Sequence, residues 1–364
     1  MRKSLLMLIF VALLGLLAGC NSDEKIPEAK PANTSQALGD KDTLDKEDNK
    51  QPPVEDETVD YSKFQGVWKL KTVVDEELYS LTAMMEYLGS TGIQITEING
   101  NEVQGNIYSI QGPPSYRQAT VSFSGVIEDG KLTTTYEDTG WEYTGIMELE
   151  FREKGILAKI TRDESEFPAM WGIPEGEFTY IRAIETEKVQ VTTEEKEALE
   201  EFLATTSKDL LQPFAEGALT DENMINFVSH SLALGKIDLS KYGDKVILGP
   251  DIVFEESVLD DITKRYFNST VKKHQAYALG TYEKGKYTVP ALGGVTEYPE
   301  LQLLMQDQDN PEIYYGIVDY VFEHPLEGKN LEYQYLIKLQ KNGDYTIKAI
   351  TEIEYPIDFS LFIS

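Results

Sequence analysis

Cysteine and histidine are nearly absent from this chain of 364 residues, which holds one cysteine and three histidines. The single cysteine, Cys20, has no second thiol with which to form an internal disulfide or a multi-cysteine metal site. The histidines, His230, His274 and His324, are far apart and show no zinc-binding spacing. No Gly-x-Ser-x-Gly nucleophile motif occurs. The sequence therefore predicts no metal site, no cofactor and no nucleophilic catalytic residue.

Basic residues are also scarce, with 33 Lys and Arg against 63 Asp and Glu, for a formal net charge of −30. A surface of this sign repels nucleic acid and anionic lipid headgroups, so nucleic-acid binding is excluded. No apolar run reaches the roughly 20 residues that span a bilayer. Apolar residues make up 41% of the chain, which is enough to bury cores, and the length predicts two or three domains.

The N-terminus has the features of a secretory signal. Arg2 and Lys3 precede an apolar run over residues 5–17, and small residues follow it. The sequence Leu17-Ala18-Gly19-Cys20 resembles the lipobox of bacterial membrane lipoproteins, in which the signal is cut before a lipidated cysteine. The resemblance implies a signal peptide over 1–19, acyl chains such as palmitate on Cys20, and a protein anchored on the extracytoplasmic face of the cell membrane. The alternative is an ordinary signal with a chance cysteine.

Residues 20–60 lack any hydrophobic period. They contain scattered prolines and a run of Lys, Asp and Glu, so little apolar surface is there to offset the entropy of ordering. We expect a disordered acidic tether, which would reach roughly 35 Å as a flexible coil.

Residues 61–185 have the pattern of an antiparallel β domain. Apolar residues alternate with period two, and Asn99-Gly100 and Asp129-Gly130 are hairpin signals. Eight strands are predicted, over 64–73, 92–98, 102–110, 119–127, 131–137, 142–151, 156–162 and 177–184. Eight strands in series with short turns favour an up-and-down barrel, which removes exposed strand edges.

A short helix is predicted between the first two strands. Its apolar face consists of Leu78, Leu81, Met84, Met85 and Leu88. We expect Met84, Met85 and Leu88 to cover one mouth of the barrel, beside the inward-facing Phe123 and Tyr136. An eight-stranded barrel has room for a packed core or for one small ligand, so these five residues are the candidate ligand-binding set.

The first strand contains Phe64-Gln65-Gly66-Val67-Trp68, which resembles the Gly-x-Trp signature of lipocalins. Lipocalins have a helix or long loop after this strand and an arginine, late in the barrel, that packs on the tryptophan. Arg182 stands in the matching place here. The resemblance implies a lipocalin-like barrel in which Trp68 and Arg182 meet where the first and last strands pair.

Residues 192–364 predict an α+β domain. Thr192 with Glu195 forms a capping box, Thr220 caps a second helix, and a third covers 258–267. Strands are predicted over 275–282, 286–289, 314–323, 331–340 and 345–355. Helices followed by an antiparallel meander resemble the cone-shaped NTF2-like domains.

Two further motifs are incomplete. The segment 280–286 starts like a P-loop but has Tyr287 in place of the Mg²⁺-binding hydroxyl, so we interpret it as a hairpin. The segment 307–312 starts like a calcium loop but has Pro311 at a ligand position, so we interpret it as a polar turn. The apolar segment 289–295 is predicted to be a packed bend or a contact loop.

These observations predict a non-enzymatic envelope lipoprotein that binds a small apolar ligand or an envelope protein. The alternative is an envelope hydrolase that uses pocket carboxylates of the C-terminal domain. A filled barrel without a buried carboxylate favours the first hypothesis, and an open pocket with a desolvated Asp or Glu favours the second.

Overall fold

A computed structural model describes residues 59–72, 76–112, 114–138, 140–163, 171–293, 297–324 and 328–362. The predicted signal peptide, Cys20 and nearly all of the tether lie outside these residues. Thr58–Ser364 form one compact unit. Within the described ranges, no helix combines the length and the hydropathy needed to cross a bilayer.

The first half is an antiparallel sheet of eight strands. They are β1 (Gly66–Leu70), β2 (Gly89–Asn99), β3 (Glu102–Gln111), β4 (Gln118–Val126), β5 (Lys131–Asp138), β6 (Tyr143–Arg152), β7 (Gly155–Arg162) and β8 (Gly176–Arg182). Their order is β4-β3-β2-β1-β8-β7-β6-β5, so β1 pairs with both β2 and β8. Among the described residues of this sheet, only the seam between β4 and β5 lacks a ladder. The predicted eight-stranded barrel is therefore confirmed as a nearly closed one.

Tight turns connect several of these strands where the sequence predicts them. Asp129 and Gly130, between β4 and β5, have positive φ angles of 50° and 78°. This pair of angles is what a two-residue hairpin turn requires, and Asp-Gly adopts it at low cost. The turn places β5 next to β4 and so brings the two edges of the sheet together at that end.

The predicted single helix after β1 is wrong in its detail. The chain instead forms α1 (Glu76–Ser80), a 3-10 turn (Thr82–Met84) and α2 (Met85–Leu88). Leu81 has extended backbone angles of −78° and 121°, which interrupt the helix. The reason is a competing partner: the amide of Ile184 donates to Ser80 O, and the amide of Thr82 donates to Ile184 O.

The second half begins with β9 (Thr186–Lys188) and contains three helices: α3 (Thr193–Leu203), α4 (Asp221–Ala233) and α5 (Glu256–Phe267). Thr192 and Thr220 both form complete capping boxes, as expected for Thr192 and Glu195. A small sheet has the order β10-β11-β13-β12, from β10 (Val246–Ile247), β11 (Asp251–Glu255), β12 (Thr281–Glu283) and β13 (Lys286–Pro290). The strand predicted over 275–282 is reduced to β12, because a backbone turn from Tyr277 to Gly280 precedes it.

A five-stranded antiparallel sheet completes this half, with the order β17-β16-β15-β14-β9. Its remaining strands are β14 (Glu297–Asp307), β15 (Ile313–His324), β16 (Gly328–Asn342) and β17 (Asp344–Glu352). Strand β14 is not among the strands predicted from the sequence. On one face of the sheet, Val318, Tyr320, Tyr335 and Ile337 pack with residues of all three helices in one hydrophobic core.

The other face of the five-stranded sheet packs against the segment inserted after β1. We call this contact the interface cluster; it contains Leu78, Leu81, Met84, Met305, Ile313, Tyr315, Ile317, Leu336, Ile353 and Ile357. Leu81 is fully buried. The insertion thus links the barrel half to the sheet half through an apolar contact.

Candidate functional site

The barrel interior is occupied by its own side chains. All eight strands contribute to one hydrophobic cluster, which includes Trp68, Phe123, Tyr136, Met147 and Tyr180. Phe123 packs over Gly105 of the neighbouring strand, where a Cβ atom would lie 2.8 Å from the ring. Tyr136 makes an edge contact with Tyr143, with 6.1 Å between ring centroids. These side chains form a packed core.

Trp68 and Arg182 lie opposite each other on β1 and β8. The guanidinium carbon of Arg182 is 5.6 Å from the centroid of the Trp68 ring, and the guanidinium donates a hydrogen bond to Gln65 O. Gly66 has a φ of 118°, and a Cβ atom there would lie within 3 Å of the guanidinium. This is the contact that the lipocalin resemblance implies, and it explains why the glycine precedes the tryptophan.

The candidate ligand-binding residues are divided between two places. Met84 belongs to the interface cluster and Leu88 packs against it, whereas Phe123 and Tyr136 belong to the barrel core. Met85 contacts the hydroxyl of Tyr108, with 3.9 Å between sulfur and oxygen. The expected arrangement of all five around one barrel mouth is therefore not found, because the apolar face of the five-stranded sheet takes up the inserted segment. Their role in ligand binding stays a prediction.

The second half contains a groove that is lined by both apolar and charged side chains. Its volume is about 280 Å³, near the small end for ligand sites. It lies between α3, the chain that enters α3, and the hairpin of β16 and β17. The lining residues are Val189, Gln190, Val191, Glu195, Ala198, Leu199, Phe202, Arg265, Tyr314, Lys341, Gly343, Asp344 and Tyr345.

Two cations stand over aromatic rings in this groove. The Arg265 guanidinium is 5.0 Å from the centroid of Phe202 and donates to Tyr345 O at 2.9 Å. The Lys341 ammonium is 4.9 Å from the centroid of Tyr345, and the Tyr345 ring meets Tyr314 edge-on at 5.6 Å. Such contacts hold the two long cationic side chains against aromatic rings, so that the groove has apolar and charged surface side by side.

The two carboxylates of the groove are engaged in structural contacts. Glu195 accepts a hydrogen bond from the Thr192 amide at 2.9 Å in the capping box, and this bond lowers the pKa of Glu195. Asp344 lies 3.9 Å from Nε of Arg265. A catalytic acid needs the opposite, a raised pKa that retains the proton.

The described histidines are not brought together. His230 Nδ1 lies 2.8 Å from Asn226 O within α4. His274 contacts the hydroxyl of Tyr287 at 3.0 Å and Asp260 at 3.6 Å. Among the described residues, no three His, Cys, Asp or Glu side chains are grouped as a metal site would require.

The two incomplete motifs form the hairpin and the polar turn that were predicted from the sequence. Lys284 and Gly285 form the turn of the β12–β13 hairpin, with φ angles of 54° and 79°. Asp307 accepts hydrogen bonds from the amides of Asp309 and Asn310, which makes a polar turn before β15. The described part of the apolar segment, residues 289–293, is held in place by a backbone hydrogen bond from the Leu292 amide to Ala233 O. The Leu292 side chain is 57% exposed.

Comparison with known proteins identifies no relative: no family model, no curated protein and no solved structure matches this chain. The groove and the two halves of the fold are the grounds for a functional proposal.

Proposed function

We propose that this protein is a lipid-anchored extracytoplasmic binding protein of the bacterial cell envelope. It holds an apolar group, carried by a small ligand or by a side chain of an envelope protein, in the groove between α3 and the β16–β17 hairpin. The observation that carries the proposal is the contrast between a barrel packed with its own side chains and a groove of about 280 Å³ whose lining includes Val189, Val191, Leu199 and Phe202. The lipobox resemblance at Leu17-Ala18-Gly19-Cys20 supports the anchor.

The order of elements in the second half supports the NTF2-like assignment. Helices α3, α4 and α5 precede most of the five-stranded sheet and share one core with it. We infer that this half is an NTF2-like fold in which the central cavity is closed by tyrosines. Tyr320 stacks on Tyr333, and Tyr335 meets both rings at a tilt, with all three centroids within 5.4 Å of one another. Because tyrosines fill the centre of this half, we place ligand binding in the outer groove.

Binding is favoured over hydrolysis by the state of the groove carboxylates. A glycosidase-type mechanism needs one carboxylic acid that stays protonated and one carboxylate that stays charged. Glu195 caps a helix with a lowered pKa, and Asp344 faces Arg265. Neither is placed to deliver a proton.

Anchoring is tested by replacing the only thiol. Cys20→Ser is expected to remain an unlipidated precursor, because a hydroxyl cannot form the thioether. Metabolic labelling with a fatty-acid analogue measures this directly. Equal labelling of the wild type and the variant would contradict the lipoprotein assignment.

Groove binding is tested with Nile red, an uncharged apolar dye whose fluorescence rises in apolar surroundings. Ala198→Trp fills the groove from the exposed side of α3 and is expected to abolish the dye signal. Glu197→Trp is the matched control, since Glu197 is exposed on the same helix but does not line the groove. Equal dye binding by the two variants would contradict the proposal.

A further inference from the structure

Lys69 is a buried lysine in the wall of the barrel. It follows Trp68, whose ring is in the barrel core, so the alternation of β1 directs Lys69 to the outer side of the wall. Only 3% of the Lys69 residue is exposed to solvent. No described residue forms a hydrogen bond or an ion pair with its ammonium group. Buried lysines are normally paired, because an isolated charge in the interior is unfavourable.

A cavity of about 200 Å³ adjoins this lysine. It lies at one end of the barrel, where β1 ends, β2 begins and β3 ends. Lys69, Leu70, Ser90, Ser109, Ile110 and Trp171 contribute to its lining. The cavity thus combines one cation, several hydroxyl groups and three large apolar side chains.

Other polar atoms of the same lining also lack partners. The Ser90 Oγ and the Trp171 Nε1 are buried, and neither has a hydrogen-bond partner among the described residues. The indole N–H can only donate, and a serine hydroxyl can donate. A buried polar group without a partner is unfavourable, and native proteins rarely keep several in one place. Ser90 Oγ and Trp171 Nε1 lack a partner, and an acceptor in the cavity would satisfy both of them together with the Lys69 ammonium group.

The charge of the lining limits what that acceptor can be. None of its described residues is an Asp or a Glu, although the chain contains 63 of them. One buried ammonium neutralises one negative charge, and a second charge on the ligand would remain buried and unpaired. Leu70, Ile110 and Trp171 provide surface for a short apolar chain.

We propose that this cavity binds a small monocarboxylate, with Lys69 as its counter-ion and Ser90 and Trp171 as hydrogen-bond donors. A bound carboxylate supplies an acceptor to all three groups. Burial lowers the pKa of Lys69 to about 7 in the unliganded protein, and the ligand's charge favours the protonated form again. The site shares no residue with the groove described above and does not rest on the function proposed for it.

The test uses the full chain and sodium butyrate as the probe. Isothermal titration measures affinity, and the ¹³Cε resonance of labelled Lys69 reports on contact in the wild type. Lys69→Met keeps the length of the side chain and removes the charge; it is expected to weaken butyrate binding roughly 10- to 100-fold. Ser90→Ala is expected to cause a smaller loss. Lys159→Met, at an exposed lysine on β7, is the matched control and should leave the affinity unchanged.

Three results would overturn the proposal: no butyrate binding by the wild type, equal affinity of Lys69→Met and the wild type, or tighter binding of inorganic phosphate than of butyrate. The last result would identify a phosphate site. If Lys69→Met does not fold, the wild-type resonance decides, because a Lys69 signal that does not move at saturating butyrate also rules out the site.

Discussion

The two sheets of this molecule are buried in different ways. In the barrel, β4 and β6 alternate between buried and exposed residues along nearly their whole length. In the five-stranded sheet, residues 315–318 of β15 and 333–337 of β16 are buried without a break. One sheet faces water on its outer side, and the other is covered on both sides.

The two-sided sheet obtains its covers from distant parts of the chain. Helices α3 to α5 cover one face, and the insertion between β1 and β2 covers the other. A barrel insertion therefore completes the core of the second half. We infer that the halves stabilise each other, whereas the interior of the barrel is filled by side chains of the first half.

The largest expected effect comes from removing the centre of the shared contact. Leu81→Ala should lower the free energy of unfolding by about 3–4 kcal/mol, because a fully buried side chain leaves a cavity. Hydrogen exchange should increase in β15 and β16 as well as in β1. Ile146→Ala, at a residue 42% exposed on the barrel, is the control and should cost under about 0.5 kcal/mol. Loss of protection confined to the barrel would contradict mutual stabilisation.

A second substitution acts on the closure of the barrel alone. Gly66→Ala should lower the free energy of unfolding by about 2–3 kcal/mol, because the alanine would have an unfavourable φ and would clash with the Arg182 guanidinium. Gly100→Ala separates the two causes, since Gly100 has a φ of 64° but open space around its Cβ position. Urea unfolding measures both variants. Equal losses would mean that the contact with Arg182 adds nothing.

Lys69 gives the barrel wall a distinctive pH dependence. Burial lowers its pKa to about 7 from the ordinary 10.5, so between these values the unfolded chain binds more protons than the folded one. The free energy of unfolding should therefore rise by about 1 kcal/mol per unit from pH 7 to pH 9, and it should stay low below pH 7. Tyr79 is the other titratable side chain among the described residues of the cavity lining. Tyr108 on β3 stays neutral, because burial raises its pKa.

The control for this prediction is Lys69→Met. Its free energy of unfolding should rise less steeply with pH than that of the wild type, because the titrating ammonium group is absent. It should also be more stable than the wild type at pH 6, where the buried charge is fully present. Urea unfolding at one-unit intervals from pH 6 to pH 9 measures both. Parallel curves for the two proteins would show that Lys69 keeps an ordinary pKa.

The smallest effect is expected at the stacked arginine. Arg182→Lys should lower the free energy of unfolding by about 0.5–1 kcal/mol, because a compact ammonium does not reproduce the contact of the planar guanidinium with the Trp68 ring. Thermal unfolding of the pair, followed by tryptophan fluorescence, checks this value. An unchanged midpoint of thermal unfolding would mean that the contact between Arg182 and Trp68 does not stabilise the protein.

The difference between the sheets also explains what the sequence could predict. The barrel strands were predicted closely, such as 142–151 for Tyr143–Arg152, because alternation is visible when one face is wet. Strand β14 was missed, since Pro299 lies inside it and a bulge separates Leu301 from Leu303. The broken helix depends on hydrogen bonds to Ile184, about one hundred residues away, and no local pattern indicates such a partner.

The candidate sites were less predictable than the fold. The groove is assembled from separate segments whose signals, a capping box at Thr192 and an Asn-Gly turn at 342–343, indicate only local structure. Lys69 follows Trp68 in an alternating strand, and the pattern alone indicates a solvated lysine. Its burial is a consequence of tertiary packing.

Methyl NMR with Nile red tests most directly whether the barrel is a packed scaffold and the groove is the binding site. Methyl groups of Val191, Ala198 and Leu199 report on the groove, and those of Ile93, Ile107 and Met147 report on the barrel core. We expect the dye to shift the first set and to leave the second unchanged. Shifts in the barrel set, with the groove signals unmoved, would contradict the account.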